Sequence, residues 1–192
     1  MARVAHKTTA RRAELFDQMV ELFLSEGFAH FTLDEIAARL HCSKSTLYTV
    51  AAGKEDLVRA VTVHFFRAAT DAVESAVTAE ATPTRRVAVY LEAVGDRLSA
   101  ASSQFMEDLA ESASASQVYE KNTSIAADRV RALIVEGVDS GAFRQVHASF
   151  VADAAAATMV RIQQRAVYRA TGLDDASAYR ELAALITDGI TA

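Results

Sequence analysis

The chain has 192 residues, a formal net charge of −5, 51% hydrophobic residues, seven Gly, one Pro, one Cys and no Trp. That apolar fraction suits a buried core and excludes wholesale disorder, and a lone Cys42 excludes an internally disulfide-stapled scaffold. No run approaches the roughly 20 uninterrupted apolar residues of a membrane-spanning helix, and Met1 to Arg12 lacks the apolar core of a secretory signal, so a cytoplasmic protein without membrane contact is expected.

The composition predicts an all-α chain: Pro83 is the sole proline, the glycines are scattered singly, and Ala, Leu, Glu and Arg abound. Leu15, Phe16, Met19, Val20 and Phe23 recur at helical spacing and stop at Gly27, which predicts a first helix over Thr9 to Glu26 with a left-handed cap. Thr32 followed by Glu35 is a capping-box pattern, and Leu33, Ile36, Ala37 and Leu40 give a short second helix its apolar face. Ser43 is the N-cap of a third helix that turns Leu47 and Val50 inward, which leaves His41 and Cys42 to make the corner. Lys54 to Thr78 reads as a long helix with Leu57, Val61 and Phe65 on one side, ended by Thr82-Pro83-Thr84, the best candidate for a domain junction. Beyond it the pattern predicts helices over Arg85 to Ala101, Gln104 to Ser112, Gln117 to Asp139 closed by Gly141, Ala148 to Thr171, and Asp175 to Ile190, about nine in the whole chain.

A small Ala37 inside the second helix, a tight corner, and Ile36, Leu40, Leu47 and Val50 spaced to close a shared core specify a helix-turn-helix unit over about residues 32–51. Lys44, Ser45, Thr46, Tyr48 and Thr49 then project from the other faces of the third helix, as hydrogen-bonding side chains suited to base edges and phosphates.

Five blocks carry a resemblance: Leu15-Phe16 to Phe23, Glu26-Gly27-Phe28, Thr32-Leu33-Asp34-Glu35-Ile36-Ala37, Ser43-Lys44-Ser45-Thr46-Leu47-Tyr48 and Gly53-Lys54-Glu55-Asp56-Leu57. In this order and spacing the stretch 11–66 resembles the DNA-binding domain of TetR-family transcriptional regulators, with residues 1–10 as a basic arm ahead of it and 67–192 as a helical domain for effector binding and dimerisation. The resemblance implies phosphate contacts from Thr32, Tyr48 and Lys54, base-edge contacts from Lys44, Ser45 and Thr49, a position for Thr46 nearer the backbone, and a place for Ser43 among the DNA-binding residues. Arg3, Lys7, Arg11 and Arg12 are the cations of the arm, fit for a minor groove or simply solvated. The chain departs from the family at the corner, where His41 replaces the usual Gly at a positive φ that His tolerates, and at Thr49-Val50-Ala51-Ala52, where aromatic residues are usual.

In the second domain, Tyr179, Leu182, Ala183, Ile186 and Ile190 make one apolar stripe, and Val151, Ala154, Ala155, Thr158, Met159 and Ile162 another that is rich in small residues. Such stripes fit either the core of one chain or a four-helix bundle across a two-fold axis. The resemblance implies the second, a homodimer with Val151, Ala155, Ile162, Tyr179, Leu182 and Ile186 at its interface. Phe65, Phe66, Tyr90, Phe105, Met106, Tyr119 and Met159, with Arg161 and Gln163 as polar anchors, are candidates to line a cavity for a small apolar or amphipathic effector.

His30, His41 and Cys42 lack the second Cys-rich or His-rich block of a zinc site, so neither metal nor cofactor is expected. There is no phosphate-binding glycine loop, nucleophile elbow or His-Glu-x-x-His, which argues against an enzyme. Expected instead is a regulator, a repressor released from a palindromic double-stranded operator by its effector. The competing class keeps the fold as a ligand-binding or interaction protein with weak or no specific DNA binding. Acidity does not oppose DNA: through residue 60 the bases Arg3, Lys7, Arg11, Arg12, Arg39, Lys44, Lys54 and Arg59 balance the acids Glu14, Asp17, Glu21, Glu26, Asp34, Glu35, Glu55 and Asp56, so the whole −5 lies beyond.

Overall fold

The computed structural model describes residues 2–191, with side chains from Arg11 onward. The described residues form ten α-helices and no strand: α1 Ala2–Glu26, α2 Leu33–Arg39, α3 Lys44–Tyr48, α4 Lys54–Ala79, α5 Arg86–Leu98 behind a 3-10 turn at Pro83–Arg85, α6 Ser103–Glu111, α7 Ala113–Asp139, α8 Ala148–Gln163, α9 Ala166–Thr171 and α10 Asp175–Ile190. The backbone of α1 starts ahead of the expected Thr9, and the side chains of Arg3 and Lys7 lie outside the described residues. Among the described residues no helix is long and apolar enough to cross a membrane.

The chain divides into two compact units. The first joins the residues up to Phe66 with Ala101–Val118, so it takes in α6, which the 11–66 and 67–192 division had assigned to the second domain. Its core holds Met19, Phe23, Phe28, Ile36, Leu47, Leu57, Val61 and Leu109, all almost fully buried. Phe28 stands edge-on to Phe105 with centroids 6.0 Å apart, and Phe65 does the same at 6.1 Å. Gly27 ends α1 at φ 80°, the left-handed cap expected from the sequence. Its missing side chain is also a packing requirement, because a Cβ there would lie 2.6 Å from the Asp108 carboxylate.

The second unit comprises Arg67–Ala100 and the residues from Tyr119 on. Here α10 packs against α5 and α8. Gly95 lets α5 approach closely, since a Cβ would stand 2.9 Å from the Ala176 carbonyl. Arg129 Nε donates to both Glu74 oxygens, at 3.0 and 3.2 Å, and ties α7 to the second half of α4.

Two expectations are corrected in this unit. The helix foreseen over Ala148 to Thr171 is broken, which raises the count from nine to ten: Arg165 adopts φ 59° and separates α8 from α9. The Arg165 guanidinium is buried and pairs with Asp175 at 2.5 Å, Tyr119 donates its hydroxyl to the other Asp175 oxygen at 3.5 Å, and Arg165 lies 4.3 Å from the Tyr168 ring centre. The break therefore falls at a buried, left-handed Arg165 paired with Asp175 ten residues on, and not at a Gly or Pro. The second correction concerns the presumed dimer stripe. Ala155, Ile162, Tyr179, Leu182 and Ile186 are buried within the chain itself, and Val151 is half-buried. These side chains close the packing of α10 on α5 and α8, whereas Phe150 and Val160 of α8 and Leu185 of α10 face outward.

Candidate nucleic-acid interface

Thr32 begins α2 with a complete capping box. Its Oγ1 accepts the Glu35 backbone N–H at 3.2 Å, while the Glu35 carboxylate accepts the Thr32 N–H at 2.7 Å. That backbone bond holds the Glu35 carboxyl below its ordinary value. With their own caps satisfied in this way, the α2 N-terminus is fixed in direction and presents its positive end outward. His41 makes the corner at φ 49°, and the Cys42 N–H donates to the Ala37 carbonyl at 2.9 Å. Ser43 then caps α3: its Oγ accepts the Thr46 N–H at 3.2 Å and shares hydroxyl hydrogen bonds with Ser45 and Thr46, both at 2.8 Å. Ile36, Ala37 and Leu47 close the seam between the two helices from inside, flanked by half-buried Leu40 and Val50.

The rigid corner sorts the expected contact residues. Lys44, Ser45, Tyr48 and Thr49 are exposed on or just after α3, Tyr48 by 52% of its surface. Ser43 and half-buried Thr46 have hydroxyls engaged in the cap, so their first task is to hold the start of α3. Thr49 donates to the Thr46 carbonyl at 2.6 Å. Lys54, at the start of α4, donates to the Ala29 carbonyl at 2.6 Å and closes the loop ahead of Thr32. Lys44 pairs with Asp34 of α2 at 2.9 Å, and that hydrogen bond raises its ammonium above the ordinary value.

Two participants were not foreseen from sequence. Asp34 faces the recognition lysine across the corner, ten residues away in the chain. Asp108 lies 80 residues from Phe28, so no local pattern announces it, yet its buried carboxylate holds the turn that feeds α2. The expected effector residues are buried except Arg161, which is exposed: Phe65, Phe66, Phe105 and Met106 belong to the core of the first unit, and Tyr90, Tyr119, Met159 and Gln163 to that of the second. Within the second unit, Gln163 borders a cavity of about 370 Å³ between α7 and α8, and Thr123, whose buried hydroxyl has no hydrogen-bond partner, lines the same space.

Two short helices, each with a side-chain N-cap, meet at a tight corner, and the second displays lysine, hydroxyl and phenol groups; this is the geometry of a helix-turn-helix unit. Residues 15–61 match the model of the bacterial regulatory proteins, tetR family. No curated protein sequence matches the chain. Solved structures share its fold over nearly the whole length: a TetR transcription regulator from Haloarcula marismortui (18% identity, 95% of this chain and 100% of that one, TM-score 0.72), the TetR-family regulator PfmR from Thermus thermophilus (19% identity, 91% and 97%, TM-score 0.62), and a protein from Saccharomonospora viridis in complex with choline (16% identity, 96% and 99%, TM-score 0.71). Residues 15–61 are thus similar to the DNA-binding domain of the tetR family, and the chain as a whole shares the fold of the solved TetR regulators.

Proposed function

We propose that the protein is a homodimeric repressor that reads a palindromic operator with Lys44, Ser45 and Thr49 and grips its phosphates with Thr32, Tyr48 and Lys54. The observation that carries this reading is the exposure of Lys44, Ser45 and Tyr48 on a five-residue helix, and of Thr49 at its C-cap, with the helix start fixed by the Ser43 cap. Two such helices one DNA turn apart read two half-sites. Selection from a random duplex library tests it: enrichment of a palindrome, with affinity falling steeply as salt rises, supports the reading. Sequence-independent or absent binding would turn the protein into a ligand-binding member of the same fold.

The dimer forms through the outer faces of α8 and α10. Phe150 and Leu185 expose 71% and 73% of their surface there, an unusual display for large apolar side chains. A small molecule in the second unit relieves repression. The α7–α8 cavity supports this, because the Thr123 hydroxyl and Gln163 offer hydrogen bonds beside Ala127 and Val160, and the fold relative from Saccharomonospora viridis is solved with choline. A thermal-shift screen of amphipathic compounds, followed by operator release with each stabilising compound, tests this part.

A further inference from the structure

A groove of about 400 Å³ runs behind α3, walled by α1, the end of α2 and the helix-turn-helix corner. Voids of that size are foreign to close-packed cores and match the space that small-molecule sites occupy. Its floor is apolar, made by the half-buried side chains of Leu15, Leu40 and Val50. Short side chains follow Tyr48, and two of them, Thr49 and Val50, line the space.

The rim is cationic. Arg11 and Arg12 both line the groove and are exposed, and among the described residues neither has a carboxylate partner. Other basic side chains nearby are committed: Lys44 to Asp34, Arg39 to Glu26, and Lys54 to the Ala29 carbonyl. Arg12 is stationed 5.9 Å from the Phe16 ring centre on its own helix, which leaves its donors to solvent. Glu14 on the same rim offsets only one of the two guanidinium charges. Thr46 and Thr49 add hydroxyls on the α3 wall.

An apolar floor beneath two guanidiniums with no carboxylate partner among the described residues is complementary to a molecule with an apolar body and one anionic end. We propose that this groove binds a small amphipathic organic anion, its apolar body on Leu15, Leu40 and Val50 and its carboxylate on Arg11 and Arg12. The site lies within the first unit and is separate from the α7–α8 cavity, and an occupant touches the recognition helix through Thr46 and Thr49.

Cys42 lines the groove and is the chain's one thiol, so it reports occupancy without any assumption about DNA. The test measures the rate at which N-ethylmaleimide alkylates Cys42 in the full-length protein, followed by intact mass, with 2-naphthoate or its neutral analogue 2-naphthamide present. Saturating 2-naphthoate is expected to slow alkylation by about threefold or more, with much weaker protection by the amide. Val50→Phe, which fills the groove, removes the protection. The double change Arg11→Gln with Arg12→Gln abolishes the preference for the carboxylate, and because both side chains are exposed it leaves the fold intact even where Val50→Phe does not. No protection by 2-naphthoate, equal protection by the amide in the unchanged protein, or a carboxylate preference that survives loss of both arginines would each overturn the proposal.

Discussion

The carboxylate of Asp108 on α6 closes the turn after α1 by accepting the Phe28 backbone N–H at 2.5 Å; the same oxygen takes the Ala29 N–H at 2.7 Å. Its other oxygen accepts from Gln104 at 2.8 Å. Because Lys54 holds the Ala29 carbonyl, the segment that delivers the chain into Thr32 is pinned from both sides. Replacing Asp108 by Ala strands buried amides without acceptors and is expected to destabilise the first unit by about 2 to 4 kcal/mol, with Asp108→Asn milder because it keeps one acceptor oxygen. Urea denaturation of the two variants checks the order, and equal stability of Asp108→Ala and the unchanged protein would contradict it.

Arg165 and Asp175 form a buried pair at the break between α8 and α9. Burial raises the Asp175 carboxyl above its ordinary 3.8, and the Arg165 charge opposes that rise. A carboxyl with a raised value in the folded state contributes stability that is present at low pH and lost as pH climbs through that raised value. Arg165→Met removes the opposing charge, so the loss grows. The variant's deficit is expected to be small near about pH 4 and to reach about 3 to 5 kcal/mol near neutrality. Adding Asp175→Asn should restore part of it. A deficit that does not change with pH would show that the charge is not the cause.

On DNA, Tyr48→Phe and Lys54→Met are expected to weaken binding to every sequence alike and to flatten the salt dependence by about one counterion for the lysine. Lys44→Ala and Thr49→Ala should instead change which bases are preferred. Anisotropy titrations against the selected operator and point-substituted versions of it separate the two patterns.

Leu185→Glu combined with Phe150→Glu places charges on the exposed faces of α10 and α8, where the free chain tolerates them. Sedimentation should show a monomer with unchanged helix content, and operator affinity should fall with loss of the second half-site. A dimer that survives both substitutions would place the interface elsewhere.

Features that rest on neighbours in the chain were legible in the sequence. The Thr32–Glu35 box, the Ser43 cap, the positive φ of His41 and the end of α1 at Gly27 each depend on residues within a few positions. The same holds for the exposure of Lys44, Tyr48 and Thr49, which follows once Leu47 is buried. Features that rest on distant partners were not. Arg165 looks like an ordinary helix residue until Asp175 is brought against it, and Asp108 like a solvated acid until Phe28 arrives. The α8 and α10 stripes were recognised as apolar, but periodicity cannot say whether an apolar face meets its own chain or a second copy. Here it meets α5 and its own partner helix.

If Lys44 reads a base edge as proposed, its bond to Asp34 sets a carboxylate of the protein in competition with the DNA. In the proposed complex a base edge must draw the ammonium away from a carboxylate already in place, so only a well-placed acceptor succeeds and casual encounters go unrewarded. In that complex Asp34 would set a threshold for binding, trading grip for discrimination on the proposed recognition helix.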